Sequence, residues 1–217
     1  DNNLISIGAA ANGLRLITGG SGVAIGLPAN FLKAGLISGS KKAWRGQAGR
    51  GVILSGSCSE RTRKQISIHR ITGAQKEIDV VALMHDDIDL KDLVGWFLEK
   101  DGLPLYYSSA SPKSVLALQK EFGVNEIAKK LDCLFAGLAK ELVASAGVER
   151  LIVAGGETSG AVIEAMGLKN LTIGPEVDPG VPVMRAGPKL VITLKSGNFG
   201  TDDFFQKAAL SLAENKT

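Results

Sequence analysis

The stretch LIVAGGETSGAVIEAM, residues 151–166, decides the fold. Leu151-Ile152-Val153-Ala154 is a short, wholly apolar run of the kind found in a strand buried on both faces. Gly155-Gly156-Glu157-Thr158-Ser159-Gly160 follows as a glycine-rich turn, and residues 161–166 continue as helix. Strand, glycine turn and helix in that order make the repeating unit of a layered α/β fold. Glycine lets the backbone approach a ligand closely. The helix that follows adds its unpaired first-turn N–H groups and the positive end of its dipole, which together favour phosphate. Thr158 and Ser159 stand where hydroxyls either cap that helix or meet a phosphate oxygen. For one such turn alone, a plain tight turn with a capped helix is the alternative.

The pattern recurs along the chain. Leu14-Arg15-Leu16-Ile17 precedes Thr18-Gly19-Gly20-Ser21-Gly22 and an apolar stretch to Leu36 that Pro28 must interrupt or restart. Val52-Ile53-Leu54 precedes Ser55-Gly56-Ser57-Cys58-Ser59 and a polar helix from Glu60. Leu190-Val191-Ile192-Thr193-Leu194 reads as a further buried strand, followed by Lys195-Ser196-Gly197-Asn198-Phe199-Gly200 and a last helix opened by Thr201 or Asp202. These units predict an α/β fold, a layered sheet, mostly parallel or mixed, flanked by helices, with Gly-rich strand-to-helix turns. Where strands run parallel, such turns gather at their carboxyl ends. Residues 18–22, 55–59, 155–160 and 196–200 are therefore expected to line one crevice and form an anion cradle.

Between these units, Leu90, Leu93, Val94 and Phe97 recur at helical spacing over residues 89–100, with Asp87 or Asp89 as N-cap. A longer helix is expected over residues 125–146. Its stripe of Ile127, Leu131, Leu134, Phe135, Leu138, Leu142 and Val143 reads as a core face rather than a partner site. Two Pro-containing turns, Gly174-Pro175 and Asp178-Pro179-Gly180-Val181-Pro182, separate short strands. Residues 39–51, with Lys41, Lys42, Arg45 and Arg50, read as a solvated basic loop.

The 217 residues are 45% apolar, enough for a substantial core in one large domain or two small ones. A net charge of +3 without a long basic run argues against a nucleic-acid-binding surface. No signal peptide or membrane-spanning run is present, and Cys58 and Cys133 lack metal-ligand spacing, so a cytoplasmic protein with reduced thiols is expected. The chain starts at Asp1 without an initiator Met, as a processed or excised piece of a larger polypeptide would.

Several chemistries fail on the residues themselves. There is no Gly-x-x-x-x-Gly-Lys-Ser/Thr run, which disfavours a P-loop. Gly20-Ser21-Gly22-Val23-Ala24-Ile25-Gly26 approaches a dinucleotide fingerprint, but its last Gly is one place late and no acidic residue follows at the usual offset. An NAD(P)-dependent oxidoreductase is therefore a weak alternative. No Gly-x-Ser-x-Gly elbow occurs, His69 and His85 lie outside the turns, and Cys58 has no neighbouring base, so it reads as a buried thiol. Glu157, Glu176 and Asp178 are the better chemical candidates, because hard carboxylates hold Mg²⁺ directly or through water. Glu176 and Asp178 serve equally well as stiffeners of their loop.

Gly155-Gly156-Glu157-Thr158-Ser159-Gly160-Ala161-Val162, Ile173-Gly174-Pro175-Glu176-Val177-Asp178-Pro179-Gly180-Val181-Pro182 and Leu194-Lys195-Ser196-Gly197-Asn198-Phe199-Gly200 closely resemble the four-carbon acid sugar kinase family. The resemblance takes in the turns at residues 18–22 and 54–59 and covers nearly the whole chain. It implies a two-domain enzyme that uses ATP and Mg²⁺ to phosphorylate an acid sugar such as 3-oxo-tetronate, threonate or erythronate. Residues 1–217 would be its C-terminal nucleotide-binding domain. The N-terminal acid-sugar domain, with its Asp-Asp-Phe-Thr-Gly-Ala motif, has no counterpart in this sequence, so the isolated domain is expected to be inactive. The resemblance places ATP contacts at Ser57, Gly155, Gly156, Glu157, Thr158, Gly197 and Gly200. On this reading the Gly155 and Gly156 amides and the Thr158 hydroxyl hold phosphate oxygens, Glu157 helps position Mg²⁺, and Lys195 offsets charge. The base is assigned to the absent domain, and association of copies is left open. Where the family often has Trp this chain has Val183, a change expected to affect packing. A non-catalytic nucleotide-sensing module is the rival reading.

Overall fold

The computed structural model describes residues 2–38, 43–108 and 112–213, which fall into two compact units, Asp1–Ala43 and Trp44–Thr217. In the smaller unit, α1 (Asn2–Ala10) is followed by a 3-10 helix (Ser21–Gly26) and α2 (Leu27–Lys33). Pro28 falls in the first turn of α2, where its missing N–H costs nothing, so it restarts the helix. Two glycines let these helices cross. A Cβ on Gly8 would run into the backbone of Gly26, and one on Gly26 into the carbonyls of Leu4 and Ile5.

Residues 14–17 do not form the expected strand. They have no pairing partner among the described residues, and Leu16 is 85% exposed. A strand exists only where neighbours satisfy its backbone groups. The turn at residues 18–22 therefore leads into the 3-10 helix without following a strand. The dinucleotide-like run from Gly20 lacks the strand–turn–helix context that its chemistry requires.

The larger unit carries a seven-stranded mixed sheet. Its strands are β1 (Arg50–Ser55), β2 (Gln75–Glu77), β3 (Leu105–Tyr107), β4 (Val148–Ala154), β5 (Thr172–Asp178), β6 (Val181–Arg185) and β7 (Val191–Lys195). They lie in the order β2-β3-β1-β4-β7-β6-β5; the first five pair in parallel, and β6 and β5 complete the sheet antiparallel. The helices are α3 (Glu60–His69), α4 (Val80–Met84), α5 (Leu90–Leu98), α6 (Pro112–Phe122), α7 (Val124–Ser145), α8 (Gly156–Ala165) and α9 (Phe204–Leu212).

Strand alternation sorts the core into two layers. Val52, Leu54, Leu151 and Val153 point to the face packed by Phe97, Phe135, Leu138, Leu142 and Val162 of α5, α7 and α8. Ile53 and Ile152 point to the other, packed by Ile66 of α3 and Phe204, Phe205 and Ala208 of α9. Each fully buried large apolar side chain contributes about 1.5–3 kcal/mol, which makes β1 and β4 the best-anchored strands. Val183 is fully buried in the second layer, a packing position as expected. Side chains start the helices as well. Ser59 Oγ accepts from the Thr62 amide at α3, Asp79 caps α4, and Asp89 caps α5.

Several expectations change. Gly174-Pro175 is not a turn but lies inside β5, at a register break of this edge strand, where proline is tolerated. The turn is Pro179-Gly180, with Gly180 at φ +77°. α9 opens after Asp203, one to two residues later than expected, and no side chain caps it. Of the basic loop, residues 39–42 lie outside the described residues. Arg50 belongs to β1, its guanidinium donating to the carbonyls of Phe97 (2.8 Å) and Lys100 (2.6 Å) and lying 4.0 Å from the Phe97 ring centroid.

Candidate functional site

The register aligns the strand ends. Ser55 pairs with Tyr107 on one side and Ala154 on the other, and Ala154 pairs with Lys195, so four parallel strands stop in one row. From that row β1 leads to α3 on one face, β4 to α8 on the opposite face, and β7 to α9 on the first face again. Neighbouring strands that send their chains to opposite faces leave a crevice at their carboxyl ends, where α/β proteins bind ligands. Three of the four expected turns, at residues 55–59, 155–160 and 196–200, meet there; residues 18–22 belong to the smaller unit.

Close packing at this edge explains the glycines. Gly155 has φ +130°, which an L side chain rarely adopts, and it lies against Thr158 and the Ser57 amide. A Cβ on Gly56 would strike the Thr158 hydroxyl, and one on Gly197 the Ser57 hydroxyl. Gly156 differs: its φ is ordinary, it is exposed, and a Cβ there would meet nothing within 4 Å. No side chain caps α8, so its first N–H groups face the crevice edge beside exposed Gly156 and Glu157. The hydroxyls of Ser55, at the end of β1, and Ser159, in the first turn of α8, are buried without a partner among the described residues. An uncapped helix start, a close-approach turn and orphaned hydroxyls suit an oxyanion.

The turn at residues 196–200 is built differently. The Gly197 carbonyl receives Ser59 Oγ at 2.6 Å, Thr62 Oγ1 at 2.8 Å and Lys195 Nζ at 3.0 Å. Lys195 also donates to Thr62 Oγ1 (2.9 Å) and the Ser196 carbonyl (3.2 Å), so its three protons are committed. It is 2% exposed, and burial, helped by the Arg61 charge, pulls its ammonium down to about 8. Lys195 therefore frames the turn instead of offering a free charge, which corrects its expected role. Gln65 Nε2 holds the carbonyls of Phe199 (3.2 Å) and Thr201 (2.8 Å). Gly200, at φ +83°, packs against the Phe204 ring.

Two further side chains are redirected. The Thr158 hydroxyl is buried and donates to Asp132 Oδ1 at 3.0 Å, so it has no proton for a phosphate. Asp178 accepts from the Thr201 amide (2.8 Å), the Thr201 hydroxyl (2.9 Å) and Lys207 (3.0 Å). Burial pushes its carboxyl up, but these donors outweigh it and hold the pKa below the usual range. Asp178 is a loop anchor, and Glu176 accepts from the Gly180 amide at 3.1 Å, which decides the open choice in favour of stiffening. No trio of His, Cys, Asp or Glu is placed to hold a metal among the described residues. Glu157 and Asp132 are close enough to interact, and burial, with Glu157 adding to it, raises the Asp132 carboxyl against the pull of the Thr158 hydrogen bond.

Asp132, Thr62 and Gln65 were missed from sequence, and Ser59 was read only as part of the turn at residues 55–59. The only signal of Asp132 in the sequence was its place between Leu131 and Leu134 of the apolar stripe; in the structure Asp132 is half-buried, whereas Glu126 and Glu141 of the same helix are exposed. His69 is structural, its buried ring donating from Nε2 to the Leu103 carbonyl at 2.8 Å, with burial lowering its pKa. Cys58 is half-buried and Cys133 exposed, both free thiols.

A family model described as a nucleotide-binding C-terminal domain matches residues 52–205, from β1 into α9. A 3-oxo-tetronate kinase of Brucella melitensis is 39% identical over 96% of this chain and 49% of its own length. That of Pseudomonas savastanoi pv. phaseolicola is 41% identical over 98% and 50%. This chain belongs to the four-carbon acid sugar kinase family. A crystal structure of a Haemophilus influenzae protein shares the fold at TM-score 0.80 and 33% identity, covering 98% of this chain and 52% of that one. The chain spans about half the length of the curated relatives it matches. No helix among the described residues is long and apolar enough to cross a membrane.

Proposed function

We propose that the larger unit is the ATP-binding half of an acid-sugar kinase acting on 3-oxo-tetronate, threonate or erythronate. The observation that carries this reading is the uncapped start of α8 after Gly155, set in the crevice between β1, β4 and β7. ATP with Mg²⁺ supplies the transferable phosphoryl group and charge neutralisation. The amides of Gly156, Glu157 and Thr158 point the helix dipole at phosphate oxygens, and Gly156 leaves the space for their approach. The Glu157 carboxylate, exposed at the same turn, helps hold Mg²⁺. Ser57 and the turn from Gly197 to Gly200 close the other side, with Lys195, Ser59 and Thr62 keeping that wall rigid. The base comes from the acid-sugar domain of the full-length enzyme.

The test is a coupled assay of ADP formation by the full-length protein with each acid sugar. ADP release that depends on an acid sugar supports the kinase. ATP binding with no acid-sugar-dependent turnover would leave the rival sensing module.

A further inference from the structure

A cavity of about 210 Å³ opens beside the Gly155 turn, between α6, α7 and the ends of β1 and β3. Val115 and Leu118 of α6 face Ile127 and Leu131 of α7 across it, and Asp132 marks the end next to α8. Three features describe its occupant. The volume is below the roughly 300 Å³ at which sites for drug-sized ligands begin, so it takes one flat ring system and not a whole nucleotide. Ser108 Oγ, at the end of β3, lines the cavity, is 4% exposed and has no partner among the described residues. A buried hydroxyl left unpaired costs about 1–3 kcal/mol, and a polar ring edge would relieve that cost. Finally, Asp132 joins the cavity to the turn: Oδ1 accepts from Thr158, and Oδ2 has no partner among the described residues. That oxygen is an acceptor placed between an apolar slot and the start of α8.

We propose that this cavity is the nucleobase pocket of the site. The ring lies between the α6 and α7 walls, its polar edge meets Ser108 Oγ and Gln119, and a ribose hydroxyl donates to Asp132. This rests on the reading of the Gly155 turn as a triphosphate cradle, and the experiment separates the two. The intact chain is titrated with MgATP and with magnesium tripolyphosphate, which has no base or ribose. The same titrations follow for Ala128→Phe, which fills the slot from α7, and Val115→Phe, which fills it from α6, each checked for folding by a thermal melt. Wild type should bind ATP at least 10-fold more tightly than tripolyphosphate. A folded filling variant should lose that advantage and keep its tripolyphosphate affinity. Equal binding of the two ligands by wild type, or a folded variant that binds ATP like wild type, overturns the pocket while the cradle stands. Failure of wild type to bind either ligand overturns the cradle, and the pocket with it.

Discussion

The turns after β4 and β7 are both glycine-rich, both end parallel strands and both lead into helices, yet they are built in opposite ways. After β7 the groups around the Gly197 carbonyl are committed: three donors converge on that carbonyl, Lys195 spends all its protons, and Gln65 fastens Phe199 and Thr201. After β4 the helix start is uncapped, and Gly156 stands exposed with open space where a side chain would be. Composition alone does not separate a frame from a binding surface. What separates them is whether the polar groups of the turn are already satisfied inside the protein.

Substitution of Gly156 should expose this difference most. A Cβ at Gly156 meets nothing within 4 Å and valine is a better helix former than glycine, so Gly156→Val should keep its melting temperature. Its ATP affinity, read by isothermal titration, should fall by about 100-fold or more, the scale of losing preorganised backbone donors to an anion. Gly155→Ala should do the reverse damage, because φ +130° strains any side chain by about 1–3 kcal/mol and lowers stability first. Equal nucleotide affinity in a folded Gly156→Val protein would collapse the distinction.

Lys195→Met strikes the frame. It removes three charge-assisted hydrogen bonds, to the Thr62 hydroxyl and the Ser196 and Gly197 carbonyls, and urea unfolding should show a loss of about 1–3 kcal/mol. The pH dependence has a definite sign. The folded-state pKa of about 8 lies below the unfolded value, so between them the unfolded chain binds more protons and stability rises with pH. The advantage of wild type over Lys195→Met should therefore grow as pH climbs from 8 towards the ordinary lysine range. A gap that shrinks there would contradict a buried, charge-strained ammonium.

The smallest effect is expected at Asp132. Its carboxyl pKa is raised, so its stabilising contribution is present at low pH and lost as pH rises through the folded value. Asp132→Asn keeps an acceptor for Thr158 and removes a partly buried charge beside Glu157. Thermal melts at neutral pH should show it slightly more stable than wild type, by a fraction of a kcal/mol on the scale of partly exposed charges. Lower stability of this variant would show that the charge is needed by the fold.

The sheet core was legible because β1, β4 and β7 are apolar runs that stop at glycine or serine turns, and α7 keeps one stripe from Ile127 to Val143. β2 and β3 were not, since each has only three residues and Gln75-Lys76-Glu77 has no apolar member. Residues 14–17 misled for a physical reason: their local pattern is that of a strand, but a strand also needs partners, and none stands among the described residues of this unit. In the site, the glycines could be read from their spacing. The targets of Thr158 and Lys195 could not, because Asp132 and Thr62 are distant in sequence and meet them only through the packing of α7 on α8 and of α3 beside the end of β7.

The central claim, that the turn after β4 grips the nucleotide and the turn after β7 frames it, is tested most directly by amide chemical shifts during a titration with MgATP. The account predicts the largest perturbations at the Gly156 and Glu157 amides and smaller ones at residues 197–200. Saturable ATP binding that leaves Gly156 and Glu157 unmoved would contradict it.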